Sequence, residues 1–334
     1  MNKLKYALMF VFLFVVAAPA YSNQTSEVNS NLQAQKPTFE AWLAAFRQEA
    51  LVKGIPKNTV EKALANIKLI KRVVVQDRNQ PEFKLTFQQY LDRVAPASRV
   101  TRGRNLLKHN EKLLAQIEKA FGVQPRFIVA LWGIESDFGR LTGGYNVLDA
   151  LATLAYDGRR GDFFRNQLLN ALRIIDYAHV EPQDMTGSWA GAMGQTQFMP
   201  STFLAHAVDF NRDGKIDIWT TTADALASGS NYLSKVGWRD DETWGREVRL
   251  PKGFDKSLAD LKIQKKISQW QALGVRKADG SHLPTRDLMA SIVIMDDGEG
   301  PAYMVYNNFR AIMDWNKSIN FATSVGILSD RIAN

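Results

Sequence analysis

From Phe39 to Val123 the apolar side chains return every three or four residues, and this period restricts the fold more than any other feature, to helix packed on helix. In FEAWLAAFRQEALVKGI (39–55), Phe39, Trp42, Leu43 and Phe46 share one helical face, and Gly54 followed by Pro56 stops the run. KNTVEKALANI (57–67), QPEFKLTFQQYLDRV (80–94) and RGRNLLKHNEKLLAQIEKAFGV (102–123) read as further helices. Pro125 suits the first turn of the next one, where its missing N–H costs nothing. Strand-like runs come only late, in EVRLP (247–251), SIVIM (291–295) and AYMVYN (302–307), and DDGEGP between the last two signals a hairpin. The expected class is mainly α (α+β), with a small β-hairpin element and no internal repeat.

The first residues, MNKLKYALMFVFLFVVAAPAYSNQ, combine two lysines, an apolar run and small residues at Ala20 and Ser22. Residues 1–22 are therefore expected to be a secretory signal peptide, and the polar residues 23–37 a linker. The apolar run is shorter than the roughly 20 residues of a membrane span. The mature chain is expected to be soluble, with no stable membrane insertion. No cysteine is present, so packing alone stabilises an exported chain in which disulfides would be permitted. The formal net charge of +8 falls to about +6 once Lys3 and Lys5 leave with the signal. That balance suits an anionic partner; nucleic acid is not expected, since no basic patch interleaved with aromatics stands out.

ALWGIESDFGRLTGG (130–144) places Glu135 at the end of an apolar run, ahead of a glycine cluster. In a helix from Pro125, the stripe of Phe127, Leu131 and Ile134 puts Glu135 at its edge, half in the core. Desolvation raises a carboxyl pKa and the negative end of the helix dipole raises it further, so such a group is a candidate general acid. Gly139, Gly143 and Gly144 leave room for a ligand. The plain alternative is a solvated glutamate before a glycine stop. GSWAGAMGQTQFMPS (187–201) adds glycines and the amides Gln195 and Gln197, suited either to a sugar or to a packed helix corner.

Together WGIESDFG, ALATLAYDGRRGDFFRNQL and GAMGQTQFMPSTF, in this order and spacing, resemble the lytic murein transglycosylases of the B type. The similarity extends through RNQPEFKLTFQQYLDR, NYLSKVGW, WGREVRLP, WQALGVRKADG and YNNFRAIMDWNKS over nearly the whole mature chain. The resemblance implies a lysozyme-like catalytic core with Glu135 as sole acid and base, and a groove lined by Ser188, Gln197, Tyr232 and Asn316. Trp315 and Phe321 stand where relatives often carry tyrosine. It further implies a periplasmic enzyme acting on the glycan strands of peptidoglycan, with other wall-synthesis or remodelling proteins as potential partners. The expected organisation is a helical domain (38–118 with 322–334), a catalytic core (119–167 with 243–321) and an inserted segment (168–242).

Glycosidases that use water usually need two carboxyl groups. Near Glu135 lie Asp137, Asp149, Asp157 and Asp162, and none is assured as a partner from sequence. A lytic transglycosylase needs none, because the muramic C6 hydroxyl attacks its own C1 and leaves a 1,6-anhydromuramic end. A hydrolytic muramidase and an inactive wall-binding module remain rival readings.

DFNRDGKIDIWT (209–220) matches an EF-hand calcium loop at Asp209, Asn211, Asp213, Gly214 and Asp217, with the Lys215 carbonyl as a further donor. Thr220 stands at the twelfth position instead of a glutamate, and Asp224 is the expected replacement through a longer loop. A structural calcium ion is expected and no catalytic cofactor; the alternative is a plain Asp/Asn/Gly turn. His109, His179, His206 and His282 show no ligand spacing. Ser201 lacks a nucleophile elbow and reads as a helix cap. Trp132, Trp189 and Trp219 near the proposed site read as core as readily as sugar platforms.

Overall fold

A computed structural model describes residues 36–78, 85–178 and 180–334. The expected signal peptide, nearly all of the linker, the start of the 80–94 helix and His179 lie outside the described residues.

Six helices open the chain. α1 (Phe39–Val52) starts at Thr38, whose hydroxyl accepts the Ala41 N–H at 3.2 Å, and buries Leu43, Phe46 and Ala50. α2 (Lys57–Leu64) and α3 (Lys71–Arg78) follow, then α4 (Phe87–Val94) behind a capping box of Thr86 and Gln89. The run 102–123, read as one helix, is two: α5 (Ala97–His109) and α6 (Glu111–Phe121). Asn110 between them has φ −98° and ψ 16°, and its amide donates back to the Leu106 carbonyl at 2.9 Å, which competes with continued helix.

α7 (Pro125–Ser136) is the central helix, with Pro125 in its first turn. Phe127 to Gly133 are all buried, so the apolar surface runs around the helix and not along one stripe. The reason is its neighbours: α14 (Ile319–Ala333), α5 and α11 (Thr222–Lys235) all pack against it. The strand pair β1 (Tyr145–Asn146) and β2 (Thr186–Gly187) brackets the long helices α8 (Val147–Asp157) and α9 (Gly161–Tyr177). The short α10 (Pro200–His206) closes this half.

The late strands form one antiparallel sheet of β3 (Gly245–Arg249), β4 (Lys265–Lys266), β5 (Arg276–Lys277), β6 (Met289–Ile294) and β7 (Ala302–Val305), in the order β4-β6-β7-β3-β5. β6 and β7 pair with Ser291 opposite Val305 and Ile294 opposite Ala302. The small α12 (Ile267–Ala272) sets Trp270 into the sheet's own core with Val275, Met304 and Tyr306. α13 (Asn307–Trp315) then leads from β7 towards α14.

The apolar side chains of the helices fall into two clusters. Phe46, Leu64 and Val73 of α1 to α3 share a core with Leu151, Leu168 and Ile175 of α8 and α9. Phe321, Val325, Leu328 and Ile332 of α14 instead share one with α4 to α7. The carboxyl-terminal helix thus joins α4 and α5 but not α1, because its apolar face meets the apolar surface of α7. The structure is mostly helical with one sheet, and none of its described helices is long and apolar enough to cross a membrane.

Candidate active site

Glu135 sits in the last turn of α7 and lines a cavity of about 260 Å³ between α7, α9, α11, α13 and the 192–202 segment. Its carboxyl is enclosed by protein on most sides, and this desolvation pushes its pKa up from 4.5 to about 8. One opposing influence acts on it: the Trp315 indole Nε1–H donates to Glu135 Oε1 at 2.8 Å, which favours the anion. The chain therefore holds a protonated carboxyl at neutral pH against open space.

The turn after α7 is fixed from two directions. Asp137 and Phe138 take positive φ, 49° and 62°, and reverse the chain. Ser136 Oγ donates to the Gln195 carbonyl at 2.6 Å and accepts the Gly139 N–H at 2.9 Å, while Trp132 Nε1–H donates to Gln195 Oε1 at 3.0 Å. Gly139 (φ 78°) lies so close that a Cβ would stand 2.6 Å from Gln195 Oε1. Gly143 (φ 100°) touches backbone, and its Cβ would stand 2.0 Å from the Gly187 carbonyl oxygen. These glycines bring the two sequence motifs into contact.

Gln197, Tyr232 and Asn316 line the same cavity as Glu135. Gln197 holds φ 52°, and its Nε2 donates to the carbonyls of Thr142 at 3.1 Å and Gly194 at 2.8 Å, leaving Oε1 buried without a partner. The Tyr232 hydroxyl donates to the Asp314 carbonyl at 2.7 Å, and burial pushes its pKa up to about 12. Asn316 is buried and its Oδ1 accepts the Ser318 N–H at 3.0 Å. Ser188 does not join them. It is 2% exposed and outside the lining, because its hydroxyl accepts the Ala192 N–H at 3.0 Å inside the 187–198 turn.

Sequence reasoning missed Phe163 and Asp314, both on the cavity wall. α9 buries the ring of Phe164, whereas the adjacent Phe163 is 39% exposed, and no local pattern says which of the two turns to the cavity. Asp314 is exposed and ion-paired with Lys317. Of the aromatics weighed from sequence, Trp132, Trp189 and Trp219 are not part of the lining, whereas Trp315 is. Phe321 lies in the α14 core.

The transglycosylase SLT domain matches residues 38–330. The chain belongs to the transglycosylase SLT-domain family. It is 35% identical over 232 residues to the membrane-bound lytic murein transglycosylase B of Escherichia coli strain K12, a match covering 67% of this chain and 61% of that protein, less than two thirds of its length. Among solved structures it is similar to SltB3 from Pseudomonas aeruginosa in complex with NAG-NAM-pentapeptide, with a TM-score of 0.86 and 45% identity over 89% of this chain and 80% of that one. It is also similar to the Escherichia coli lytic transglycosylase Slt35 in complex with calcium, with a TM-score of 0.75 and 28% identity over 91% and 94% of the two chains. The mostly helical architecture is thus that of lytic transglycosylases.

Within that architecture Asp137 is committed elsewhere. Its carboxylate meets Arg99 at 3.5 Å, Arg102 at 2.9 Å and Arg140 at 3.0 Å, against α5 and outside the cavity lining. It holds the turn and is not placed as a partner of Glu135.

The 209–220 loop gathers oxygen side chains but uses them on itself. Asp209 accepts the N–H groups of Asp213 at 3.2 Å and Gly214 at 2.9 Å, and Asp213 accepts that of Lys215 at 2.9 Å. Asn211 Nδ2 donates to Asp213 at 2.9 Å. Asp217 accepts Trp219 and Thr220 N–H groups at 2.8 and 2.9 Å. Asp224 is fully buried and its two oxygens take the N–H groups of Phe210, Asn211 and Asp217 at 2.9, 3.4 and 3.0 Å. Asp209, Asn211, Asp213, Asp217 and Asp224 thus all offer the oxygen chemistry of a hard cation, and each also accepts backbone N–H groups, Asn211 Oδ1 taking that of Asp213 at 3.1 Å. Among the described residues no group of three His, Cys, Asp or Glu side chains is gathered as a metal site.

Proposed function

We propose that this chain cleaves the β-1,4 bond between N-acetylmuramic acid and N-acetylglucosamine in peptidoglycan without water, with Glu135 as the only acid and base. The observation that carries the proposal is a carboxyl with its pKa pushed up to about 8 that still lines an open cavity. Family membership and the muropeptide complex of SltB3 support the substrate class.

Glu135 protonates the glycosidic oxygen as the C1–O4 bond breaks. The substrate's N-acetyl oxygen steadies the positive anomeric carbon. The Glu135 carboxylate then takes the proton of the muramic C6 hydroxyl as O6 bonds to C1, giving a 1,6-anhydromuramic end. An internal nucleophile reaches effective concentrations of roughly 10⁵ M or more, far above that of water. Gln197, Tyr232 and Asn316 line the path of the glycan. Proton transfer of this kind calls on no metal, so no catalytic cofactor enters the proposal. A structural calcium ion belongs to the same proposal, with Asp209, Asn211, Asp213, Asp217, Asp224 and the Lys215 carbonyl as its donors.

A hydrolytic muramidase has one observation in its favour, Asp314 as a second carboxylate on the cavity wall. Against it, Asp314 is exposed and paired with Lys317, a solvated setting on the surface. Glu135→Gln keeps the shape and the acceptor for Trp315 while removing the proton. It should bind glycan strands by calorimetry yet fail to release muropeptides; substantial turnover would refute the assignment.

A further inference from the structure

We propose that Trp315 is a positioning residue that reserves Oε1 of Glu135, so that a single oxygen, Oε2, both delivers and recovers the proton. The inference rests on the reading of Glu135 as acid and base.

An indole N–H donates and cannot accept. Facing Oε1 at 2.8 Å, it favours the proton on the other oxygen, because the carbonyl oxygen of a neutral carboxyl is the better acceptor and the hydroxyl oxygen the poorer one. The proton of the neutral carboxyl is thereby assigned to Oε2, the oxygen that the indole does not contact, on a residue lining the cavity. When the carboxyl ionises, the same N–H stabilises the anion, and the group keeps its orientation between the two steps.

The indole is held so that it cannot swing away. Its ring packs at 5.3 Å from that of Phe198 and at 5.1 Å from that of Tyr232. Tyr232 in turn anchors the preceding residue through the Asp314 carbonyl at 2.7 Å. On the far side Gly229 of α11 leaves room for the benzo edge: a Cβ there would stand 3.4 Å from Trp315 Cη2. The Asn316 N–H closes α13 on the Ile312 carbonyl at 3.0 Å, directly after the indole.

Proton and bond changes then balance on one atom. Oε2–H passes its proton to O4 as the C1–O4 bond breaks, and Oε2 receives the proton of O6–H as the C1–O6 bond forms. No water is consumed and Glu135 ends protonated as it began. The departing O4 and the arriving O6 must occupy the same position beside Oε2 in succession, so ring closure follows withdrawal of the leaving sugar.

The test removes the N–H and little else. Trp315 is replaced by benzothienylalanine, which has sulfur in place of the N–H, and in parallel by phenylalanine. Glu135 is titrated in the free protein by carboxyl-carbon NMR, with Glu135→Gln identifying its resonance. The pH profile of kcat is measured on peptidoglycan. Loss of a hydrogen bond to a charged group should raise the Glu135 midpoint, and the alkaline limb of kcat with it, by about one pH unit. The value of kcat should fall about tenfold with KM within about twofold. A midpoint and limb that stay in place in the benzothienyl protein, whatever its activity, would overturn the proposal. A midpoint that moves while Glu135→Gln retains turnover would leave the Trp315 contact standing and refute the catalytic reading instead.

Discussion

Glu135→Gln should make the protein more stable at neutral pH, and by an amount that depends on pH in a defined way. The folded state holds the carboxyl proton up to about pH 8, whereas the unfolded chain releases it near the ordinary value of 4.5. Between these values the unfolded state binds fewer protons, so stability falls as pH rises, by about 1.4 kcal/mol per pH unit for one group. At pH 7 the accumulated penalty is at most about 3 kcal/mol, since cavity water returns some hydration to the carboxyl. At pH 5 it is under about 1 kcal/mol. Glutamine keeps the acceptor for Trp315 and carries no titrating proton. With about 2 °C of Tm per kcal/mol in a chain of this size, the variant should melt about 5 °C higher at pH 7 and within about 2 °C at pH 5. Scanning calorimetry of both proteins at half-unit steps from pH 4.5 to 8 reads the difference. Parallel Tm curves would refute the burial argument, and with it the raised proton affinity on which the acid role depends.

Three further outcomes follow from other contacts. Asp137→Asn leaves Arg99, Arg102 and Arg140 without their shared carboxylate and should cost about 3 kcal/mol of stability by urea unfolding, while the Glu135 titration midpoint is unchanged. Gly143→Ala forces a side chain against the Gly187 carbonyl at a φ of 100°, and should lower Tm by more than about 6 °C, measured by calorimetry. Calcium at ten times its Kd should stabilise the native protein by about 1.4 kcal/mol, about 3 °C in Tm, and leave Asp209→Ala unchanged; a Tm indifferent to calcium and chelator would remove the ion from the account.

Local physics made much of this readable from sequence. The Gly54–Pro56 stop and Pro125 mark helix ends through backbone chemistry that needs no tertiary knowledge. Glu135 stood out because a carboxylate inside an apolar run carries its desolvation cost in the sequence itself. What escaped was set by distant partners. Trp315 is 180 residues from the glutamate it contacts, so no local pattern joins them. Ser188 reads as an available hydroxyl until the turn folds and Ala192 takes it. In the calcium loop the spacing of oxygens was visible, but not that Asp217 and Asp224 would serve backbone N–H groups.

The central claim is that one carboxyl suffices and that water takes no part. Purified peptidoglycan digested with the native protein, Glu135→Gln and Asp314→Asn, with the soluble muropeptides read by mass spectrometry, tests it directly. The account predicts products lighter by one water than hydrolytic muropeptides from the native protein and from Asp314→Asn, and none from Glu135→Gln. Reducing ends carrying the added water, lost together with turnover in Asp314→Asn, would contradict it and identify the second carboxylate of a hydrolase.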